Sequence, residues 1–239
     1  MSGFCDIHTH VLPGIDDGAK DWDMSLEMID RSWKGGVRRI IATPHYIPWQ
    51  KRENDPGKII RLCKEAELRA KSELGYDIKI YPGQEIYYHI EMLEKIDQGK
   101  VLTLAGSHYI LVEFPIDISW HQLKQAISHI IYSSQYRPIL AHIERYECLR
   151  TKENLEEAKE LGALFQMNIK SLQGGILDHN TRWCKKQLLD AKIDFLSSDM
   201  HNLTSRPPTS YDMLEWIGKK IDREYQKDIF MRNALKIGI

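Results

Sequence analysis

Apolar residues in this chain follow two alternating patterns. Short runs rich in Ile, Val and Leu, about four to eight residues long, are typical of buried strands in a parallel sheet. Six such runs cover residues 5–10, 40–45, 78–85, 109–114, 138–145 and 195–201. Each ends on or beside His, Glu, Arg or Asp. Because parallel sheets collect their ligand sites beyond the carboxyl ends of the strands, these distant residues are predicted to meet at one place.

Helical periodicity fills the segments between these runs. Trp22, Leu26, Ile29 and Trp33 recur on one helical face, and Gly35 would end that helix. The same rhythm is repeated by Ile59, Cys63, Ala66 and Ala70, and by Trp120, Leu123, Ile127 and Ile130. Further helices are expected at residues 153–161 and 181–191, and two more after residue 208. Strand and helix therefore alternate, which predicts an α/β fold with a parallel sheet, open or closed into a barrel.

Length and composition narrow the class of protein. A length of 239 residues could suggest two domains, but barrels of alternating strands and helices often reach this size as one unit, so we expect one domain over residues 1–239. With 42% hydrophobic and 28% charged residues, the chain is neither disordered nor membrane-embedded by composition. The net charge of −1 provides no global basic field, so nucleic acid is not an expected partner.

Two features favour a cytoplasmic location. No apolar stretch reaches the length of a signal peptide or a membrane span, so no membrane insertion is expected. The four cysteines form no C-x-x-C pair, and their spacing indicates no disulfide framework. Reduced core cysteines are the prediction.

The candidate chemistry begins at the first run. His8 and His10 alternate along a strand and would share one face, where both could bind one metal ion, and Asp199 and His201 repeat this spacing. A lone H-x-H pair is more often incidental. The interpretation strengthens because further candidates lie at strand ends or in loops at the same predicted edge: Asp17, His45, Glu85, Glu113 and His142.

Each candidate also has a simpler interpretation. Asp17 could serve only the turn before Gly18, and Glu85 could lie in a surface turn after Pro82-Gly83. His45 and His142 could be hydrogen-bonded core histidines. Glu113 is more telling, because a carboxylate in an apolar strand is costly unless it is paired or binds a cation. A donor set of imidazoles and carboxylates without thiolate favours Mn, Fe, Zn or Co, and five imidazoles make Mg less favourable.

Two arginines are candidate phosphate ligands. A guanidinium matches phosphate oxygens in a planar fork, and Arg145 follows His142 by three residues. The alternative for Arg145 is an ion pair with Glu144 or Glu147. Arg206 lies on the loop after the last run.

The motifs together resemble a known superfamily. DIHTH, DDG, TPH, GQE, VEFP, AHIERY and SDMHN, spread over residues 5–208, resemble the polymerase and histidinol phosphatase (PHP) superfamily. More narrowly, their order resembles the bacterial metal-dependent protein-tyrosine phosphatases linked to capsule and exopolysaccharide synthesis. The resemblance implies a distorted TIM-like (β/α)7 barrel of the PHP type that carries three divalent metal ions, with manganese the first candidate.

The resemblance also implies a ligand set. The first ion would be bound by His8, His10, Glu85 and Asp199, the second by Glu85, Glu113 and His142, and the third by Asp17, His45 and His201. With Arg145 and Arg206 as the catalytic phosphate-binding residues, the charge of the loaded site would be near +4.

The implied reaction is hydrolysis of phosphotyrosine in a protein by a metal-activated water, without a covalent enzyme intermediate. The implied partner is an autophosphorylating bacterial tyrosine kinase in the cytoplasm. Residues 46–57, an irregular segment with two prolines and several charges, are expected to form a mobile loop near the site.

Other functions stay open at this point. Cys63 and Arg69 match the C-x5-R spacing of cysteine phosphatases, but the segment lacks glycines and lies in a predicted helix. A PHP-type site could instead hydrolyse histidinol phosphate or another small phosphoester, or cleave nucleic acid. A noncatalytic metal-bearing module that binds a phosphorylated kinase is the alternative from a different class.

Overall fold

The structure, a computed structural model, describes residues 3–50, 54–175, 177–209 and 211–239, the last range without the side chains of Tyr211 and Asp212. The strands are β1 (Phe4–Thr9), β2 (Val37–Ala42), β3 (His45–Tyr46), β4 (Lys79–Pro82), β5 (Glu85–Tyr87), β6 (Tyr109–Glu113), β7 (Arg137–Leu140), β8 (Leu164–Asn168) and β9 (Phe195–Ser197). The α-helices are α1 (Trp22–Lys34), α2 (Pro56–Leu74), α3 (Met92–Asp97), α4 (Trp120–Ser133), α5 (Lys152–Glu160), α6 (His179–Leu189), α7 (Tyr211–Lys220), α8 (Arg223–Lys227) and α9 (Asn233–Lys236).

The strands form one curled parallel arrangement. β1, β2 and β4 pair in that order, and β3, β5, β6, β7, β8 and β9 form a second parallel ladder. β3 continues the path of β2, and β5 continues the path of β4, so these pairs are two halves of broken strands. The last strand returns to the first, because Thr9 and Met200 form a parallel bridge and the His10 amide donates to the Met200 carbonyl. The predicted α/β barrel is therefore confirmed.

The predicted set of elements differs from the structure in four places. β8 and α3 were not predicted, and the runs at residues 40–45 and 78–85 each form two short strands. Gln166 and Asn168 interrupt the apolar run of β8, which hides the strand from a search for continuous hydrophobicity. The breaks occur at Thr43-Pro44 and Gly83-Gln84, and they turn His45 and Glu85 to the start of a new strand segment.

Helix ends follow ordinary capping chemistry. The Asp21 carboxylate accepts from the Met24 amide at the start of α1, and Gly35 ends that helix, as predicted. Ser119 and Gln122 form a capping box at the start of α4. Helix α2 ends at Gly75, which has a left-handed φ of 76° that glycine adopts without strain.

Among the described residues, no helix is both long and apolar enough to cross a membrane. All four cysteines are free thiols, as predicted, and three of them are buried. In the segment expected to be a mobile loop, Tyr46 ends β3 and Pro48–Gln50 form a 3-10 turn, whereas residues 51–53 lie outside the described part of the chain.

Candidate metal centre

The nine predicted ligand residues converge at the carboxyl end of the barrel. They come from the end of β1 and its loop, from β3, β5 and β6, and from the loops after β7 and β9. Three groups among them place one candidate ligand atom per residue within 4.8 Å of one another: His10, Asp17, His45 and His201; His8, His10 and Glu85; and His45, Glu85 and Glu113.

Glu85 lies at the centre of this cluster. Its Oε2 is 3.3 Å from His8 Nε2, 3.2 Å from His10 Nε2 and 3.1 Å from His45 Nδ1. Its Oε1 is 3.0 Å from His142 Nε2. The residue is 1% exposed, so the surface-turn interpretation of Glu85 is wrong.

Asp199 and Glu113 extend the cluster in two directions. Asp199 Oδ1 is 3.4 Å from both His8 Nε2 and His201 Nδ1. Glu113 Oε1 is 3.3 Å from His142 Nε2, so this carboxylate is paired as its position in an apolar strand requires.

The grouping differs in part from the expected ligand sets. His10 stacks on His201 with ring centroids 3.7 Å apart, and it lies with the Asp17 group as well as with His8 and Glu85. His45 likewise lies with Glu85 and Glu113 in addition to Asp17. The imidazoles of His10 and His45 therefore lie between groups that the resemblance keeps apart.

Backbone strain marks two of the cluster residues. His142 and Asp199 have φ values of 35° and 50°, in the left-handed region that residues with side chains rarely adopt. Such conformations cost on the order of 1–3 kcal/mol and persist where the surroundings impose them. Here each strained residue lies two positions after the end of its strand, β7 or β9, and its side chain points into the cluster.

The two carboxylates of the Asp16-Asp17-Gly18 turn make different contacts. Asp16 Oδ1 accepts from the Gly18 amide at 2.9 Å, so Asp16 makes the turn. Asp17 instead faces His45, with its Oδ1 3.3 Å from His45 Nε2. A Cβ on Gly18 would lie 2.1 Å from the His10 carbonyl oxygen, so only glycine lets this turn pack against β1.

The donor set fits divalent cations. The four carboxylates and five imidazoles of the candidate ligands, with the two arginines, have a net charge of −2 if the imidazoles are neutral, and the Asp16 carboxylate beside His10 makes it −3. Burial disfavours the charged forms of His10 and His142, but Asp16 and Glu85 beside His10, and Glu113 and Glu85 beside His142, raise the pKa of each to about 9. Burial also disfavours charge on His45, whose pKa Glu85 and Asp17 raise to about 11. The carboxylates thus stabilise positive charge at this site. Bound metal ions would supply that charge in place of protons on the imidazoles.

Sequence reasoning missed the residues that orient the candidate ligands. Asp16 Oδ2 lies 2.7 Å from His10 Nδ1 and accepts from the His45 amide. On β8, Gln166 Oε1 lies 3.0 Å from His8 Nδ1, and Asn168 Nδ2 donates to Asp199 Oδ2 at 2.8 Å. Alternation of polar and apolar residues in β8 was the one signal that could have revealed the last two.

We expect Asp16→Asn to weaken metal binding by about 10–100-fold, because a carboxylate that orients a ligating imidazole also raises its basicity. Competition titration with a metal indicator would measure the affinity. Asp21→Asn is the matched control, since Asn still caps α1 and lies outside the cluster. Equal metal affinities for the two variants would contradict the role of Asp16.

Both predicted phosphate ligands lie at the rim of the cluster. Arg145 Nη2 donates to Asp199 Oδ2 at 3.1 Å, and neither Glu144 nor Glu147 is its ion-pair partner. Arg206 Nη2 donates to Asp17 Oδ2 at 3.0 Å. Each arginine side chain is 34% exposed, so an anion from solvent can approach both.

The cysteine alternative does not fit the structure. Cys63 lies in α2 and is 1% exposed, and burial raises the pKa of its thiol to about 12. A buried thiol with a raised pKa is a poor nucleophile. The C-x5-R spacing is therefore incidental.

Comparison with known proteins identifies the family. The family model described as "Capsular polysaccharide synthesis, CpsB/CapC" matches residues 4–238. Tyrosine-protein phosphatase CpsB of Streptococcus pneumoniae is 32% identical over 238 residues, 97% of each chain. Tyrosine-protein phosphatase YwqE of Bacillus subtilis strain 168 is 32% identical over 224 residues, 92% of this chain and 85% of YwqE.

A solved structure agrees. It is one of the crystal structures of YwqE from Bacillus subtilis and CpsB from Streptococcus pneumoniae, which are described as unique metal-dependent tyrosine phosphatases. It matches with a TM-score of 0.83 at 29% identity, over 94% of this chain and 90% of that chain. The chain therefore belongs to the CpsB/CapC family, which confirms the resemblance inferred from its motifs.

Proposed function

We propose that this protein is a metal-dependent protein-tyrosine phosphatase. The observation that carries the proposal is the convergence of nine imidazole and carboxylate side chains beneath two rim arginines, in a chain 32% identical to tyrosine-protein phosphatase CpsB. Cations beside guanidinium groups suit a phosphomonoester, whose charge they neutralise.

The ligand assignment is part of the proposal. His8, His10, Glu85 and Asp199 would hold one ion, Glu85, Glu113 and His142 a second, and Asp17, His45 and His201 a third. The nitrogen and oxygen donors favour Mn, with Fe, Zn and Co as alternatives. The contacts of Glu85 with four imidazoles support a bridging role, and the position of His10 between two groups supports a shared ligand.

Bound divalent ions would supply a hydroxide nucleophile near neutral pH and neutralise the phosphate charge. The chain itself supplies orientation. Arg145 and Arg206 lie on two sides of the cluster, against Asp199 and Asp17, and each can exchange part of its carboxylate contact for a phosphate oxygen. Gln166 and Asn168 hold His8 and Asp199 in place while this exchange occurs.

The leaving group explains the preference for tyrosine. A phenolate, with a parent pKa of about 10, leaves without a strong general acid, whereas an alkoxide does not. Charge neutralisation by metal ions and two arginines would therefore suffice for an aryl phosphate more readily than for an alkyl phosphate.

The biological setting is proposed from the family. The family is described by capsular polysaccharide synthesis, and its members are named as tyrosine phosphatases. We infer a phosphotyrosine protein substrate, an autophosphorylating bacterial tyrosine kinase that controls capsule or exopolysaccharide synthesis. Four free thiols are consistent with the reducing cytoplasm as its location. One domain over residues 1–239 remains part of the proposal.

Initial rates on four substrates test this function. The metal-loaded protein should turn over a phosphotyrosine peptide on the order of a hundredfold faster than the same peptide carrying phosphoserine, because of the better leaving group. Histidinol phosphate and single-stranded DNA complete the set. Preference for histidinol phosphate would support a small-molecule phosphatase instead, and metal-loaded protein that binds the phosphotyrosine peptide without turnover would support a binding module.

A further inference from the structure

An aromatic pair borders the metal cluster on the side of Glu113. Tyr87 ends β5 two residues after Glu85, so both side chains lie on the same face of the strand, while Ile86 between them is buried in the core. Tyr87 is also the register partner of Glu113 on β6. Burial, followed by the Glu113 charge, raises the pKa of the Tyr87 phenol. Tyr87 therefore lies directly beside a candidate metal ligand.

Trp49 extends this border into solvent. It lies in the 3-10 turn Pro48–Gln50, which follows His45 and β3 closely. Its indole meets the Tyr87 ring edge-on, with centroids 5.0 Å apart and an interplanar angle of 87°, and it meets His89 at 6.4 Å. Trp49 is nevertheless 57% exposed, so more than half of its surface is not packed against the protein.

Two other described parts of the rim are charged. Arg206 and Asp17 cover one side, and Arg145 with Asp199 covers another. The Trp49 and Tyr87 rings thus provide an aromatic wall beside charged groups that suit phosphate. A ligand with phosphate at one end and an aromatic ring at the other matches this division.

We infer that Trp49 and Tyr87 form the subsite for the aryl ring of the substrate, and that Trp49 determines the preference for aryl over alkyl phosphates. This inference rests on the proposed function and extends it to the selection of the substrate. When the phosphate lies at the cluster, the phenyl ring would pack against the indole and lose water from both surfaces.

A simpler role for Trp49 is to shield Tyr87 from solvent. In that role Trp49 would stabilise the site as a whole, and its loss would weaken the binding of all phosphate ligands equally. A subsite for the ring would affect only ligands that carry a ring. The two roles therefore differ in a ratio of affinities.

Calorimetry with two non-hydrolysable ligands measures this ratio. Benzylphosphonate and ethylphosphonate share the phosphonate and its methylene group and differ in the phenyl ring. Metal-loaded wild type should prefer benzylphosphonate, and Trp49→Ala should reduce that preference about tenfold, the size expected for loss of an aromatic contact with its buried area. Trp49→Phe should retain most of it.

Tyr132→Ala is the matched control. Tyr132 is an aromatic residue with 76% exposure near the end of α4, where the chain leads into the amino end of β7 on the opposite side of the barrel. This variant should keep the wild-type ratio. An unchanged ratio in Trp49→Ala, or an equal loss of both ligands, would overturn the inference.

This measurement is independent of turnover. If wild type hydrolyses phosphotyrosine but Trp49→Ala keeps its preference for benzylphosphonate, the subsite is wrong and the phosphatase stands. If the preference depends on Trp49 while no phosphoester is hydrolysed, the subsite stands and the phosphatase is wrong.

Discussion

Removal of metal is expected to abolish phosphotyrosine hydrolysis by more than about a thousandfold, and added Mn²⁺ should restore it. The imidazoles and carboxylates of the described cluster contact one another and would serve as metal ligands, so hydroxide supplied by the bound ions is the expected nucleophile. Without cations, the four carboxylates would also repel the phosphate. Turnover of a phosphotyrosine peptide after exhaustive chelation, with metal content measured by elemental analysis, checks this expectation.

The control separates metal chemistry from thiol chemistry. Cys63→Ala should keep both its turnover and its sensitivity to chelator, because Cys63 is buried in α2 with a raised thiol pKa. Full turnover in protein shown to be free of metal would rule out the proposed mechanism. Loss of turnover in Cys63→Ala with its metals retained would point back to a cysteine phosphatase.

Local sequence patterns were sufficient for much of the fold. The alternation of His8 and His10 in β1 follows from the period of two in a strand, and the spacing of Ile59, Cys63, Ala66 and Ala70 follows from the helical period. Apolar runs therefore located most strands and helices. The carboxyl-end rule for parallel sheets then predicted that ligands from distant runs would meet, and the structure brings all nine candidates to that edge.

The remaining features depend on three-dimensional contacts. Asp16 and Asp17 are adjacent and chemically equal in the sequence, yet Asp16 both closes the turn at Gly18 and contacts His10 from behind, whereas Asp17 faces His45. Gln166 and Asn168 are neither metal ligands nor apolar residues, and the alternation of polar and apolar residues in β8 indicates a strand but not contacts with His8 and Asp199. Their role is visible only when β8 lies between β7 and β9.

The same limit applies to the distribution of ligands among ions. Stacking of His10 on His201 places one imidazole between two groups, which spacing along the chain does not encode. Trp49 is similar, because only the pairing of β3 with β5 places the turn after β3 next to Tyr87. The sequence therefore predicts the chemistry of this site better than it predicts the substrate selectivity.

Glu85→Gln is expected to lower phosphotyrosine turnover on the order of a thousandfold and to reduce the number of bound metal ions per chain. The change removes one negative charge while it keeps the shape of the side chain. Both carboxylate oxygens contact imidazoles, at 3.0 to 3.3 Å, and a neutral amide offers one oxygen in place of two. A bridge between two ions would thus be lost, and with it the paired cations that acidify water and neutralise phosphate.

Metal content, turnover and thermal stability should be measured together on this variant. Glu91→Gln is the matched control, because Glu91 is an exposed carboxylate before α3 and should behave as wild type. Burial of Glu85 among four imidazoles means that the variant could lose activity through unfolding, so an unchanged circular dichroism spectrum is required. If folded Glu85→Gln protein keeps both its full metal content and its turnover, Glu85 does not bridge two ions, and the central carboxylate of the cluster would have to act on the imidazoles alone.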